Sequence, residues 1–207
     1  ATIHADALLG GDGGKVIVWA DDVTRAYGTI SARGGAQGGN GGFVELSGKV
    51  SLDFSARVNA SAPLGAAGTL LLDPTNITVA VGGGSAVTAV DQFGDAGGTL
   101  TISPATLNAA GTTVVLQASG DININSAVNL TTAGAGFVAE AGDDINVNAT
   151  GTTNGGRINL EADSPHAPGG SNGSGQLSIN AAVTSNGGKI TLIGGGDPIL
   201  AGGGIAL

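Results

Sequence analysis

Residues 154–160 read Asn-Gly-Gly-Arg-Ile-Asn-Leu, and residues 186–192 read Asn-Gly-Gly-Lys-Ile-Thr-Leu. In both stretches a glycine pair precedes a segment in which polar and apolar side chains alternate. Glycine pairs mark turns, and alternation with a period of two is typical of a β-strand that buries one face. The two stretches therefore predict one turn-and-strand unit that recurs after 32 residues.

The same unit occurs four more times along the chain. Two small residues precede an alternating segment at positions 13–14, 41–42, 67–68 and 97–98. The steps between successive copies of the unit are 28, 26, 30, 58 and 32 residues, and 58 is two steps of 29. Strand-forming repeats of this length predict a solenoid, in which each turn of the chain buries its apolar side chains by stacking on its neighbours.

A second register is visible in the middle of the chain, where residues 115–125 align with residues 138–148 at an offset of 23 residues. The alignment predicts that the polar side chains of the two segments stack on adjacent coils; they are Asp121, Asn123, Asn125, Asp143, Asp144, Asn146 and Asn148. We expect amide ladders rather than a calcium site, because calcium takes about six to eight oxygens that converge on one point.

These patterns predict an all-β protein, namely a right-handed parallel β-helix (β-solenoid) of about seven to nine coils. The right hand is what the crossover rule gives for parallel strands. Propeller blades need about 40 residues each, and leucine-rich repeats need a fixed leucine frame, and the sequence shows neither. We expect residues 1–207 to form a single β-helix segment, a fragment of a larger protein. Two strand-poor stretches, 81–98 and 163–175, are predicted to leave the rod as outward loops.

The composition agrees with this fold and disfavours other classes of protein. Glycine supplies 40 of the 207 residues and aromatics only 3%, yet 41% of the chain is hydrophobic, which argues against disorder. A net charge of −9 disfavours binding to nucleic acid and to anionic membrane surfaces. No apolar run reaches the ~18 residues of a membrane helix, so the chain is not expected to be membrane-embedded.

Residues 10–79 carry a family resemblance. The phrases GGFVELSG (41–48) and GTLLLDPTNITV (68–79) resemble the filamentous-haemagglutinin-like adhesins of two-partner secretion systems, and the rest of the chain resembles only their generic β-helix repeats, as in GDININ (120–125). The resemblance implies secretion through an outer-membrane β-barrel transporter to the bacterial cell surface. It also implies a role in adhesion, aggregation or biofilm, with this piece as part of the shaft.

One cluster of residues is the candidate ligand surface. Trp19, Asp21, Asp22 and Tyr27 place aromatics beside acids, as on sugar-binding surfaces, so host-cell or matrix glycans are the expected ligands if the surface is functional. Because Val16 and Val18 share one face of their strand, Trp19 is predicted to point outward or to lie at a corner. A structural role for Trp19, as a cap over a corner, is the competing hypothesis. The segment 73–76, Asp-Pro-Thr-Asn, is predicted to be a turn and not a site.

No catalytic residue, metal ligand or cofactor is predicted. A polysaccharide-active β-helix enzyme would need paired carboxylates in a cleft, and the neighbours Asp143 and Asp144 would point to opposite faces of a strand. His4 and His166 have no cysteine or acidic partner at ligand spacing. The chain is therefore predicted not to be an enzyme, and a carbohydrate- or matrix-binding module remains the alternative to a shaft.

Overall fold

The computed structural model describes residues 1–82 and 98–195, and the backbone of 200–201 and 205–206. Within these residues the chain forms short strands and one short helix. The first strand is β1 (Thr2–His4), and the next two turns of the chain form β2 (Lys15–Ala20), β3 (Val23–Ala26), β4 (Thr29–Ser31), β5 (Phe43–Gly48), β6 (Ser51–Phe54) and β7 (Arg57–Asn59). The third turn contains β8 (Thr69–Asp73), β9 (Asn76–Val79), β10 (Thr99–Ile102) and α1 (Pro104–Asn108).

Four further turns of the chain complete the described part. They contain β11 (Thr113–Ala118), β12 (Ile122–Ile124), β13 (Val128–Ala133), β14 (Phe137–Ala141), β15 (Ile145–Val147), β16 (Gly151–Asn154), β17 (Ile158–Glu161), β18 (Leu177–Ile179), β19 (Val183–Thr184), β20 (Ile190–Ile193), β21 (Leu200–Ala201) and β22 (Ile205–Ala206). Every described pairing between these strands is parallel, and each one except that of β9 with β10 joins one turn of the chain to another. The predicted all-β parallel architecture is confirmed.

The first face of the rod is one continuous seven-stranded sheet with one strand from each coil, in the order β2-β5-β8-β11-β14-β17-β20. Seven coils agree with the predicted seven to nine. The two registers found in the sequence are also confirmed, because Val115 pairs with Val138 and Ile158 pairs with Ile190. In both pairs the two residues are of the same type, which is why the sequence alignment found these offsets.

The second face contains a rung out of sequence order. Its six-stranded sheet runs β10-β9-β12-β15-β18-β21, so β10 pairs with the strand that precedes it in the chain. The opposite edge of β10 faces β6, where the Gly98 N–H donates to the Val50 carbonyl at 3.2 Å. Strand β10 is thus inserted between the second and third coils.

The fourth copy of the turn-and-strand unit, at 97–102, does not join the same face as the other copies. Five copies of the unit lie in the seven-stranded sheet, but this one lies in the second face. The physical reason is that every face of a β-helix buries alternate side chains, so alternation predicts a strand without saying which face it joins.

The third face is interrupted by the helix. Strands β1-β4-β7 form one sheet and β13-β16-β19-β22 another, and α1 packs against β13. Ser103 caps the start of α1 through its side chain, and Leu107 is the buried residue of the helix. At the end of the helix the Asn108 side chain accepts a hydrogen bond from the Asn129 N–H at 2.7 Å. The helix fills the place of a strand and satisfies part of the open edge of β13.

The core is a stack of aliphatic columns that runs the length of the rod. On the first face one column joins Val44, Leu70, Val114, Phe137 and Ile158, all at most 3% exposed, and Phe137 is its aromatic member. Each fully buried aliphatic side chain contributes about 1.5–3 kcal/mol relative to exposure. Because neighbouring coils supply most of this burial, a coil by itself has little to hold it folded.

The glycine pairs have a steric cause. A Cβ placed on Gly68 would lie 2.1 Å from the Gly42 carbonyl oxygen, and one on Gly156 would lie 1.9 Å from the Ala135 carbonyl oxygen. In each case the clash is with the backbone of the preceding coil. The second glycine of the repeating unit therefore marks where two coils touch backbone to backbone.

Among the described residues no helix is long or apolar enough to cross a membrane.

Candidate functional site

Three side chains lie in register on the outer side of the first face. Trp19 of the first coil pairs with Ser47 of the second, and Ser47 pairs with Asp73 of the third. Rungs are about 4.8 Å apart, so the backbones carrying the indole and the carboxyl are about 10 Å apart. The small Ser47 side chain between them is only 3% exposed, which leaves a notch between the two larger groups.

The notch opens into a groove of about 260 Å³. We call it the Trp19 groove and define it by Trp19, Lys49, Asp73, Ser119 and Pro168, which all line it. Trp19 is 54% exposed. The prediction that Trp19 points outward is therefore confirmed, although its neighbours are not those that the sequence suggested.

The Asp73 carboxyl is in an unusual environment for a surface acid. Partial burial raises its pKa to about 6, and the nearby negative charge of Glu45 adds to the increase. In the described part of the chain no group donates a hydrogen bond to this carboxylate, since the Ser47 hydroxyl donates to the Asp73 backbone carbonyl instead. The carboxylate has lost part of its hydration without gaining a partner.

The far wall of the groove comes from the strand-free loop 163–175, which joins β17 to β18 in the sixth coil. This loop was predicted to project outward. Ser164 and Ala167 are nevertheless buried, and Pro168 and Gly169 reach the corner of the fourth coil at Ser119. The loop thus lies back along the rod. Most of the other predicted loop, 81–98, lies outside the described residues.

Asp163 holds the loop in this position. Its φ of 54° is left-handed, and its carboxylate accepts the Ser171 hydroxyl at 2.7 Å and the N–H groups of Asn172 and Gly173 at 2.6 and 2.8 Å. The hydrogen bond from Ser171 is the main reason that the pKa of Asp163 lies below its usual value, and those from Gly173 and Asn172 add to it.

Replacing Asp163 by alanine is expected to release the loop while leaving the rod folded. Three hydrogen bonds are lost together, and alanine disfavours the left-handed backbone. Limited proteolysis should show new cleavage within 163–175, and amide exchange at Asn172 and Gly173 should accelerate at least tenfold. Glu161→Ala, on the adjacent strand, is the matched control and should leave both unchanged. Equal protection in both variants would contradict the anchoring role.

The other three predicted surface residues lie at the two ends of β3. Asp21 and Asp22 are exposed at the corner between β2 and β3, where the Asp22 carbonyl accepts the N–H groups of Val50 and Ser51. Tyr27 follows β3, and its hydroxyl donates to Asp53, which raises the pKa of Tyr27. None of these three lines the Trp19 groove.

The predicted asparagine ladders are present. The Asn148 amide donates to Asn125 at 2.9 Å, Asn180 donates to Asn148 at 2.9 Å, and Asn146 donates to Asn123 at 3.1 Å. The offset of 32 residues would have identified Asn180, which the sequence analysis missed.

The aspartates beside the ladders bond to backbone groups. Asp121 accepts the Asp144 N–H at 3.2 Å, and Asp144 accepts the Gln176 N–H at 2.8 Å. Burial and the charges of Asp144, Asp121 and Asp163 raise the pKa of Asp143. Within residues 1–82 and 98–195, no group of three or more His, Asp or Glu side chains is placed to hold a metal ion.

The two histidines are part of local hydrogen-bond networks. His4 Nδ1 lies 2.7 Å from the Ser31 hydroxyl, which donates to Asp6 at 3.0 Å, and Arg33 pairs with Asp6 at 2.9 Å. Ser31 is buried and stands between the histidine and the acid, whereas an activated serine needs the histidine in the middle. His166 contributes its backbone N–H to the Ser164 hydroxyl at 3.1 Å.

The chemistry of the Trp19 groove is that of recognition. An exposed indole offers a flat apolar face and an N–H donor, the Asp73 carboxylate accepts hydrogen bonds, and the Lys49 ammonium donates them. Such a set suits a ligand with both an apolar face and hydroxyl groups. No protein-family model and no curated protein matches this chain.

Proposed function

We propose that this chain is a structural and adhesive shaft segment of a large secreted bacterial surface exoprotein. Its transport partner would be an outer-membrane β-barrel transporter, and it would act at the cell surface in adhesion, aggregation or biofilm. The observation that carries the proposal is the unbroken first face, in which seven successive coils pair in parallel register. A rod of this kind extends by one rung for each added repeat, which is what a spacer between a cell and its target requires.

The side-chain ladders support the mechanical part of the proposal. Asn125, Asn148 and Asn180 join three successive coils, because the Asn148 amide donates to Asn125 and accepts from Asn180 along the rod axis. These bonds add to the backbone pairing at the corners, where the strands end. A load along the rod is therefore shared between backbone and side-chain bonds.

The outer surface supports weak contacts that act in large numbers. Aromatics form 3% of the chain, and Arg and Lys together supply 7 residues, so the anchors that dominate protein interfaces are scarce. Adhesion by such a rod would arise from many weak contacts presented together. The proposal assigns no catalytic step to the chain.

The test compares one copy of the chain with many copies. The purified chain should bind cultured epithelial cells too weakly to saturate in the micromolar range, whereas beads that carry it densely should adhere. Beads coated with the heat-unfolded chain are the control for non-specific adhesion. Saturable micromolar binding by the single chain, or adhesion equal to that of the control beads, would contradict the shaft proposal.

A carbohydrate-binding module is the second candidate function, and a specific observation favours it. Trp19 is the only tryptophan in the chain, and it lies half exposed in a groove beside an unpaired carboxylate. The two functions are compatible, since a shaft can carry weak binding sites along its length.

A further inference from the structure

We propose that the Trp19 groove binds one neutral pyranose ring of a glycan chain, with the apolar face of the sugar stacked on Trp19 and its hydroxyls hydrogen-bonded to Asp73. The site goes beyond the shaft function and does not depend on it. It is also a different site from the one that the sequence suggested, since Asp21, Asp22 and Tyr27 take no part.

The first step of the argument is the position of Trp19. The core of the rod consists of aliphatic columns to which Trp19 does not belong, and its indole is 54% exposed. Trp is normally buried for most of its surface, and an indole left in water costs hydrophobic free energy. Ser47, next in register, is too small to cover it. The ring face is therefore available to a ligand.

The second step is the state of Asp73. Its carboxylate lines the groove, is partly desolvated, and has no hydrogen-bond donor among the described residues. Two vicinal hydroxyls of a sugar would supply the donors that it lacks. A ligand with several hydroxyl groups is therefore favoured over a purely apolar one, because an apolar ligand would bury the carboxylate further without donating a hydrogen bond to it.

The third step concerns the size of the ligand. The groove measures about 260 Å³. Pockets for drug-sized ligands are larger, at about 300–1,000 Å³. Lys49 and Pro168 of the loop both line the groove. A groove of this volume accommodates one ring, and the remainder of a glycan chain would extend into solvent.

The fourth step concerns the charge of the ligand. Glu45 and Asp73 lie on adjacent strands of the outer surface, and the whole chain carries a charge of −9. Lys49 is the single cation that lines the groove. Sialylated or sulphated sugars would be repelled by this field, so the ring is assigned as uncharged.

The test uses the fluorescence of the Trp19 indole. Because Trp19 is the only tryptophan, every change in tryptophan emission reports on this groove. The chain is titrated at pH 7.5 with methyl glycosides of glucose, galactose and N-acetylglucosamine, and with sialyllactose. We expect a saturable change with at least one neutral glycoside, with a Kd in the millimolar range, and no saturation with sialyllactose.

Variants separate binding from folding. Asp73→Asn is expected to raise the Kd at least tenfold, and Glu161→Gln, an acid in the same sheet outside the groove, is expected to leave it unchanged. The raised pKa means that the folded protein at pH 7.5 holds an unfavourable charge, so Asp73→Asn should also raise Tm at that pH. This gain should shrink as the pH falls through about 6. A residue needed only for folding would show the opposite effect on Tm.

The pH dependence of binding supplies an independent measurement. In the unaltered chain, affinity should fall between pH 7.5 and pH 5 as the Asp73 carboxylate becomes protonated, and in Asp73→Asn this dependence should disappear. Trp19→Ala should abolish binding. Because this variant has no tryptophan, its binding is measured by saturation-transfer NMR.

Three results would overturn the proposal. They are the absence of saturation with every neutral glycoside, an affinity unaffected by Asp73→Asn, and tighter binding of sialyllactose than of the neutral sugars. None of them would affect the shaft proposal, which rests on the comparison of one copy with many.

Discussion

Replacing Gly156 by alanine should lower the free energy of unfolding by about 3 kcal/mol or more, and Tm by about 10 °C. The new Cβ would stand 1.9 Å from the carbonyl oxygen of Ala135 and 2.3 Å from its carbonyl carbon. Both atoms belong to the backbone of the preceding coil, so no side-chain rotation can relieve the contact. The two coils must separate locally, and the strand pairing that follows at Phe137 and Ile158 must shift with them. Thermal unfolding followed by circular dichroism measures the loss.

Gly151→Ala is the matched control for this substitution. No atom lies within 4 Å of a Cβ built at Gly151, and its backbone is not left-handed. It lies in the same coil, at the start of β16, so the change in chain entropy is similar. We expect a Tm within about 2 °C of the unaltered chain. Equal losses in the two variants would show that the glycine pairs are retained for backbone freedom and not for close contact between coils.

Removal of one whole coil should leave a folded, shorter rod. Deletion of residues 137–157 removes β14, β15 and β16 and joins Gly136 to Ile158, which occupies the same register position as Phe137. Strand β11 can then pair with β17, and Asn125 can bond to Asn180 in place of Asn148. We expect a soluble chain with the same strand signal per residue and a cooperative thermal transition. The loss of one coil removes burial but breaks no register.

A half-coil deletion is the control for the whole-coil deletion. Removal of residues 137–147 takes out β14 and β15 but keeps β16, so the next strand enters the wrong face. Aliphatic side chains would then point to solvent, and we expect aggregation and no cooperative transition. If both shortened chains fold, or if neither does, the coils are not the independent units that the register implies.

The sequence predicts the stacking of coils best where polar side chains mark the register. The offsets of 23 and 32 residues are correct because asparagines recur with the strands, and a one-residue slip would break the ladder as well as the core. The position of β10 could not be derived in this way. Its alternation of Thr and apolar residues satisfies any face of the rod, and only the pairing with β9 decides the matter.

Part of the Trp19 groove could be predicted from the lengths of the repeats. The first two repeat steps are 28 and 26 residues, and they carry Trp19 onto position 47 and then onto Asp73. The wall that the loop contributes to the groove could not be predicted from the sequence. A loop rich in glycine, serine and proline, such as 163–175, carries no periodicity, and its direction is set by the three hydrogen bonds that converge on Asp163.

The strand inserted between the second and third coils has a consequence for how the rod assembles. A solenoid that grows from its amino terminus can add each turn as soon as that turn is made, because the template is always the last turn laid down. Strand β9 has no earlier strand of the second face to pair with when it is made. Its neighbour on that side is β10, which follows it in the chain and must first occupy the space beside β6. Until residue 102 is available, the third turn is held by β8 alone. We expect the rod to form in two kinetic stages, with a pause after the second turn and rapid zippering beyond α1, so that the slowest event in assembly lies at one internal rung.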